Sequence, residues 1–175
     1  MRLVEAASPE DREIGGSGWY SDAGWVEATY LAGSNDLPSH LNRQAFFHAS
    51  DEPFEHSSLT LLCFYNRIQA RFHDADGLLV GSLDAFVPPA FFQHSSGTHV
   101  LRVEYRAPGT AALSVDGRVV DRTDLDRPLS GAFRRIRVGS RPGNWTVDGS
   151  VRVRAGFGAA GREVPGVKIG DAAWE

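Results

Sequence analysis

Apolar and polar residues alternate along most of this chain with the two-residue period of a β-strand. The clearest run is His99–Tyr105, with Leu101, Val103 and Tyr105 on one face and Val100, Arg102 and Glu104 on the other. Trp25–Leu31 alternates in the same way, with Trp25, Glu27, Thr29 and Leu31 opposed to Val26, Ala28 and Tyr30. Ala111, Leu113 and Val115 share a face, and Asp116-Gly117 then predicts a two-residue hairpin turn into Arg118–Asp121. Ile136 and Val138, then Val151, Val153, Ala155 and Phe157, form inward sets flanked by Arg135, Arg137, Arg152 and Arg154. Gln44–Ala49, Ser58–Tyr65, Ile68–His73 and Leu78–Phe86 supply further strands, of which Ser58–Tyr65 is apolar enough to be central. Arg134 breaks the alternation before Ile136 and predicts a bulge. No stretch keeps a 3.6-residue apolar period. One sandwich of two antiparallel sheets accounts for all of this.

The chain of 175 residues is long enough for one domain with a full core. Residues 1–18 are polar, end in Gly15-Gly16-Ser17-Gly18, and read as an N-terminal arm or short lead-in strand followed by a flexible joint. The sandwich spans 19–158. Residues 159–175 read as a Gly- and Ala-rich tail whose Trp174 needs a surface to dock on, either on the domain or on a neighbouring subunit.

Composition changes this picture in three places. A net charge of −4 gives no bulk electrostatic case for nucleic acid. One of the 18 basic residues is lysine, Lys168, which leaves 17 arginines; a GC-rich genome accounts for the bias, and arginine also suits forked contacts to carboxylates. Cys63 stands alone in an apolar run and reads as a buried, inert thiol. No apolar run approaches the roughly 20 residues of a membrane span. The first residues lack the apolar core of a secretory signal, so the expected setting is a virion surface or otherwise the cytoplasm.

The segments GTHVLRVEYRAPGTAALSVDGRVVDR (97–122) and FRRIRVGSRPGNWTVDGSVRVRAGFG (133–158) resemble the concanavalin A-like lectin/glucanase superfamily in its laminin-G-like branch. Val115-Asp116-Gly117 and the Gly-bounded strand Ile136-Arg137-Val138-Gly139 fall where that pattern wants them. The resemblance implies an all-β, concanavalin A-like jelly-roll sandwich of two antiparallel sheets. It does not imply an activity, since the superfamily holds lectins, glycosidases, lyases and structural modules. Domains of this kind are common in phage head-decoration and tail proteins. The leading expectation is therefore a non-catalytic structural or adhesive virion module, with shell or tail proteins or surface glycans as partners and a homo-oligomeric or lattice-bound state. A free carbohydrate-binding protein comes second and a polysaccharide hydrolase or lyase third.

Glycoside hydrolysis needs two carboxyl groups flanking the bond. The close acid pairs, Asp74/Asp76 and Asp124/Asp126, lie in evident turns, and Glu27 and Glu104 are single acids on strands. Ser, His and Asp occur without a Gly-x-Ser-x-Gly elbow. No enzymatic residue is nominated. The histidines show no metal spacing, and no cofactor is expected; a structural calcium would draw on Asp74, Asp76 or Asp148, with Asp116, Asp121 and Asn144 as lesser donors. For ligand binding, Trp19, Tyr20 and Trp145 fall in or beside expected loops, where aromatic rings stack on sugars or cap the core. Arg102, Arg135, Arg137, Arg152 and Arg154 point outward by strand parity. If their strands are neighbours they form one basic stripe, either a docking face joined by Trp174 or a solvated surface with acids such as Glu104 as partners.

Overall fold

The alternating runs become strands, and the pairing between them packs the inner faces of two sheets around one core. A computed structural model of the chain describes residues 4–5, 10–13, 19–33, 43–51, 56–139, 149–158 and 167–169. In chain order the strands are β1 Val4–Glu5, β2 Glu10–Glu13, β3 Trp19–Tyr20, β4 Ala23–Ala32, β5 Gln44–Asp51, β6 His56–Phe64, β7 Arg67–His73, β8 Leu79–Phe86, β9 His99–Arg106, β10 Gly109–Val115, β11 Arg118–Leu125, β12 Ala132–Phe133, β13 Arg135–Val138, β14 Gly149–Gly158 and β15 Val167–Ile169. Two short 3-10 turns, Pro89–Phe92 and His94–Ser96, carry the chain from β8 to β9.

The larger sheet runs β1–β14–β4–β9–β10–β11, with β15 joined to the same strand, β14, as β1. The second sheet runs β2–β13–β5–β6–β7–β8, and β3 pairs with β12 in a small ribbon. All pairs are antiparallel. The inner faces are the sets read from the alternation: Val26, Ala28 and Tyr30, Leu101 and Val103, Val151, Val153 and Ala155 from one sheet, Leu59 and Leu61, Ile68, Ala70 and Phe72 from the other. This is the all-β jelly-roll sandwich the sequence predicts.

The hairpin between β10 and β11 turns on Asp116 and Gly117, with φ of +49° and +80°. Two successive positive φ values make a type I′ turn, whose twist suits antiparallel strands. The strand edges β8 and β11 meet where the sheets close, and the Asp84 N–H donates to Asp121 Oδ2 at 2.7 Å across the seam. Gly81 on β8 leaves room at this seam for the Leu125 side chain, whose Cδ2 would stand 2.5 Å from a Cβ placed there.

Some expectations need correction. Arg134 is not a bulge within one strand. It is the step between β12 and β13, where its N–H donates to the Ser50 carbonyl and its side chain pairs with Asp51 at 3.1 Å. The segment read as an arm or lead-in strand contributes β1 to one sheet and β2 to the other, and the stretch read as a tail contributes β15, which is no departure from that reading.

Candidate calcium ligands Asp74 and Asp76 lie in the β7–β8 turn, where Asp74 serves the fold. Its Oδ1 accepts the N–H groups of Asp76 (3.0 Å) and Leu78 (2.9 Å), and its Oδ2 pairs with Arg127 Nε at 3.0 Å. Burial pushes this carboxyl up, but the two backbone donors and Arg127 outweigh it and hold the pKa below the usual range. Asp74→Ala leaves those donors unsatisfied and is expected to cost about 2 kcal/mol. A depressed carboxylate stabilises above its unfolded pKa of about 3.9 and loses that contribution as pH falls through the lower folded value. Thermal melts of wild type and Asp74→Asn should therefore differ at neutral pH and converge in acid.

Candidate functional site

The outer face of the larger sheet carries an ordered set of cross-strand rows. Trp25 stands opposite Glu104, Glu104 opposite Ala112, and Ala112 opposite Arg122, across β4, β9, β10 and β11. The next row is Arg154, Glu27 and Arg102. A small residue among large neighbours leaves a hollow. Ala112 leaves one here, a groove of about 310 Å³ lined by Trp25, Glu104, Arg106, Thr110 and Arg122 over the backbone of Gly24 and Tyr105.

One wall of the groove is built in advance. The Arg102 guanidinium lies over the Trp25 ring, 4.8 Å from its centroid. It donates to Glu104 Oε1 through Nε (2.8 Å) and Nη2 (2.6 Å), and to Glu27 Oε2 through Nη1 (3.2 Å). Arg154 meets the other oxygen of Glu27 at 3.5 Å. Burial disfavours the Arg102 charge, but its bonds to Glu104 and Glu27 outweigh this and raise its pKa above the usual value. The alternating chain Arg154–Glu27–Arg102–Glu104 thus braces the indole. Arg106 and Arg122 differ from Arg102: among the described residues neither guanidinium has a carboxylate partner. The groove therefore offers an aromatic face, a hydroxyl at Thr110, a held carboxylate and two uncommitted cations.

The expected basic stripe does not form. Arg102, Arg152 and Arg154 lie on the larger sheet, whereas Arg135 and Arg137 lie on β13 of the other, opposite Ser50 and His48. Parity tells which way a side chain points within its strand, but not which sheet the strand joins. Arg152 is also buried, at 8% exposure. Trp19 and Tyr20 sit in the β3–β12 ribbon opposite Phe133 and Ala132 rather than in a loop, and their rings lie outside the described part of the structure. Trp145, Asp148 and Trp174 lie outside the described residues altogether. Among the described residues no group of three His, Cys, Asp or Glu could hold a metal ion. Sequence reasoning passed over Trp25, Arg106 and Arg122 as site residues. The signal it had was Trp25 on the polar side of its strand; the hollow at Ala112 needs the register.

No family model matches the sequence, and no curated protein is detectably similar to it. Solved structures are similar in fold. The mouse laminin α1 chain, domains LG4-5, superposes with a TM-score of 0.65 at 12% identity, over 95% of this chain and 44% of that one. The Ruminococcus gnavus IT-sialidase CBM40 bound to α2,3 sialyllactose superposes at 0.54 and 15% identity, over 83% of this chain and 90% of that one. The full-length tailspike protein 2 of the Escherichia coli O157:H7 bacteriophage CAB120 superposes at 0.59 and 13% identity, over 90% of this chain and 22% of that one. The fold is the lectin-like jelly roll. This jelly roll spans less than half of the laminin piece and under a quarter of the tailspike, so what those larger proteins do is not carried across by the superposition. Among the described residues no helix of the jelly roll is long and apolar enough to cross a membrane.

Proposed function

We propose that this chain is a glycan-binding module whose Trp25 groove, non-catalytic towards sugars, takes a sugar bearing a carboxylate. The observation that carries the reading is the meeting of the braced Trp25 ring with the two uncommitted arginines, Arg106 and Arg122, around the hollow at Ala112. Sugar rings present apolar C–H faces that stack on indole, and a guanidinium fork matches a carboxylate. Glu104, committed to Arg102, is the one carboxylate among the described lining residues, so the groove suits binding rather than glycoside cleavage. A neighbour of the same fold bound to sialyllactose supports an acidic sugar, and the phage tailspike supports a virion-surface setting. In that setting the chain is an adhesive or decorating element and copurifies with particles; a free lectin-like protein does not.

The test is a glycan array carrying α2,3-sialyllactose, oligogalacturonate and neutral lactose, run with calcium and again with chelator. The expected result is retention of acidic glycans that weakens with salt. Each of Arg106→Ala and Arg122→Ala should lower affinity at least about 10-fold, the loss of one charge-assisted hydrogen bond. Equal binding of neutral glycans by wild type and both variants, or no glycan binding by folded protein, would remove the reading. Signal lost only with chelator would establish a calcium role.

A further inference from the structure

At the other end of β9, about five residues or roughly 17 Å from the groove, three side chains form a hydrogen-bonded line. Ser96 Oγ lies 2.9 Å from His99 Nε2, and His99 Nδ1 lies 2.8 Å from Asp116 Oδ2. We propose that Ser96 is an activated nucleophile, with His99 as its general base and Asp116 as the group that orients the base, and that it accepts acyl groups from carboxylic esters carrying an apolar part. This goes beyond the glycan reading and rests on separate residues.

An ionised Asp116 only accepts, so a neutral His99 facing it carries its proton on Nδ1 and leaves Nε2 with a lone pair. The one proton between Nε2 and Ser96 Oγ is then the hydroxyl's. The hydroxyl also stands 2.8 Å from the Gln93 carbonyl, so it divides between that cap and His99. Both other members are held firmly. Asp116 Oδ1 accepts the Val100 N–H at 2.8 Å, and the Asp116 N–H donates to the Val100 carbonyl at 2.8 Å. Asp116 keeps its positive φ of +49° in the hairpin turn, a conformation Asp tolerates better than most residues. The His99 ring stacks on buried Phe91, centroids 4.0 Å apart and 22° between planes. A base oriented by a third group, with the nucleophile in hydrogen-bond reach, is the arrangement that activates serine on unrelated folds.

The substrate class follows from the surface beside Asp116. A groove of about 640 Å³ runs between β8 and the β10–β11 hairpin; Phe86, Val87, Pro88, Val119 and Val120 form an apolar stretch of its lining, and Asp84, Asp116 and Arg118 form a charged one. Phe86 is 72% exposed there. The apolar stretch suits an alkyl or aryl group. In the acylation step Ser96 Oγ bonds to the ester carbonyl carbon and its proton passes to His99 Nε2. The tetrahedral adduct then breaks its bond to the alcohol oxygen, which takes that proton and leaves. Water repeats the sequence on the acyl-serine, releasing the carboxylic acid and restoring the hydroxyl.

The experiment is labelling of the full chain with an alkyl fluorophosphonate, with the modified residue located by mass spectrometry, beside hydrolysis of p-nitrophenyl butyrate. The expected result is a single adduct on Ser96 and turnover at least about 10-fold above that of Ser96→Ala, a reduced share of what a positioned general base gives in a closed site. Asp116→Asn keeps an oxygen for the Val100 N–H. It should lower kcat while leaving KM and the thermal midpoint in place, which a purely structural aspartate would not do. Absence of labelling at Ser96 in wild-type protein, or hydrolysis indifferent to Ser96→Ala, would overturn the proposal. Retained glycan binding by Ser96→Ala separates its failure from failure of the groove.

Discussion

Phe157→Ala is expected to destabilise the domain by about 3–5 kcal/mol, the cost of emptying a large buried aromatic site. Phe157 is 2% exposed near the end of β14. Its ring stacks with Phe47 of the opposite sheet at 6.1 Å and meets Phe133 of the small ribbon edge-on at 5.0 Å. One side chain therefore ties both sheets and the ribbon together, and its removal leaves a cavity shared by three elements. For a domain of this size the thermal midpoint should fall by about 10 °C or more. Phe86→Ala is the control. The same change of residue at a position 72% exposed should move stability by only about 0.5 kcal/mol. Equal effects at the two positions would mean that Phe157 does not join the layers.

Trp25→Ala should abolish most glycan affinity, about 30-fold or more, as expected for a central aromatic anchor worth 2 kcal/mol or above. Its thermal midpoint should change little, because the ring is half-buried on the outer face and does not belong to the core between the sheets. Calorimetric titration with the best array ligand, beside a thermal melt of each protein, separates the two effects. Arg102→Ala should weaken binding less than Trp25→Ala. It frees the indole and Glu104 but leaves the ring in place. Unchanged affinity in Trp25→Ala would place the sugar elsewhere on the molecule.

The strands between Trp25 and Phe157 were legible because each carries its own alternation, and Asp116-Gly117 announces its turn locally. The short end strands were not. Glu10–Glu13 has no apolar face, and its partner Arg135–Val138 is over a hundred residues away. What joins them is backbone register, which sets Glu13 opposite Arg135 and Asp11 opposite Arg137. The arginine set was read onto one face because parity is local and sheet membership is not. Both candidate sites share that limit. Trp25, Ala112 and Arg122 become neighbours only when four strands are aligned. Asp116 comes beside Val100 and His99 only because Val115 pairs with Leu101. Adjacent Phe46 and Phe47 are both buried, which strict alternation does not provide; the irregular pairing between Ala45 and Phe47 turns both rings inward.

The Asp121 carboxylate that bridges the seam to Asp84 also accepts the Arg122 N–H at 2.8 Å. The main chain beneath one of the two groove cations is thereby pinned before any sugar arrives, while the opposite wall is pinned by Arg102. An encounter with ligand then freezes little besides the outer atoms of Arg106 and Arg122, so the entropic cost of association is small. Capture should accordingly proceed in a single kinetic phase whose rate rises linearly with sugar concentration, without the plateau of a gating step. Release would be set by how fast water re-enters the hollow over Ala112.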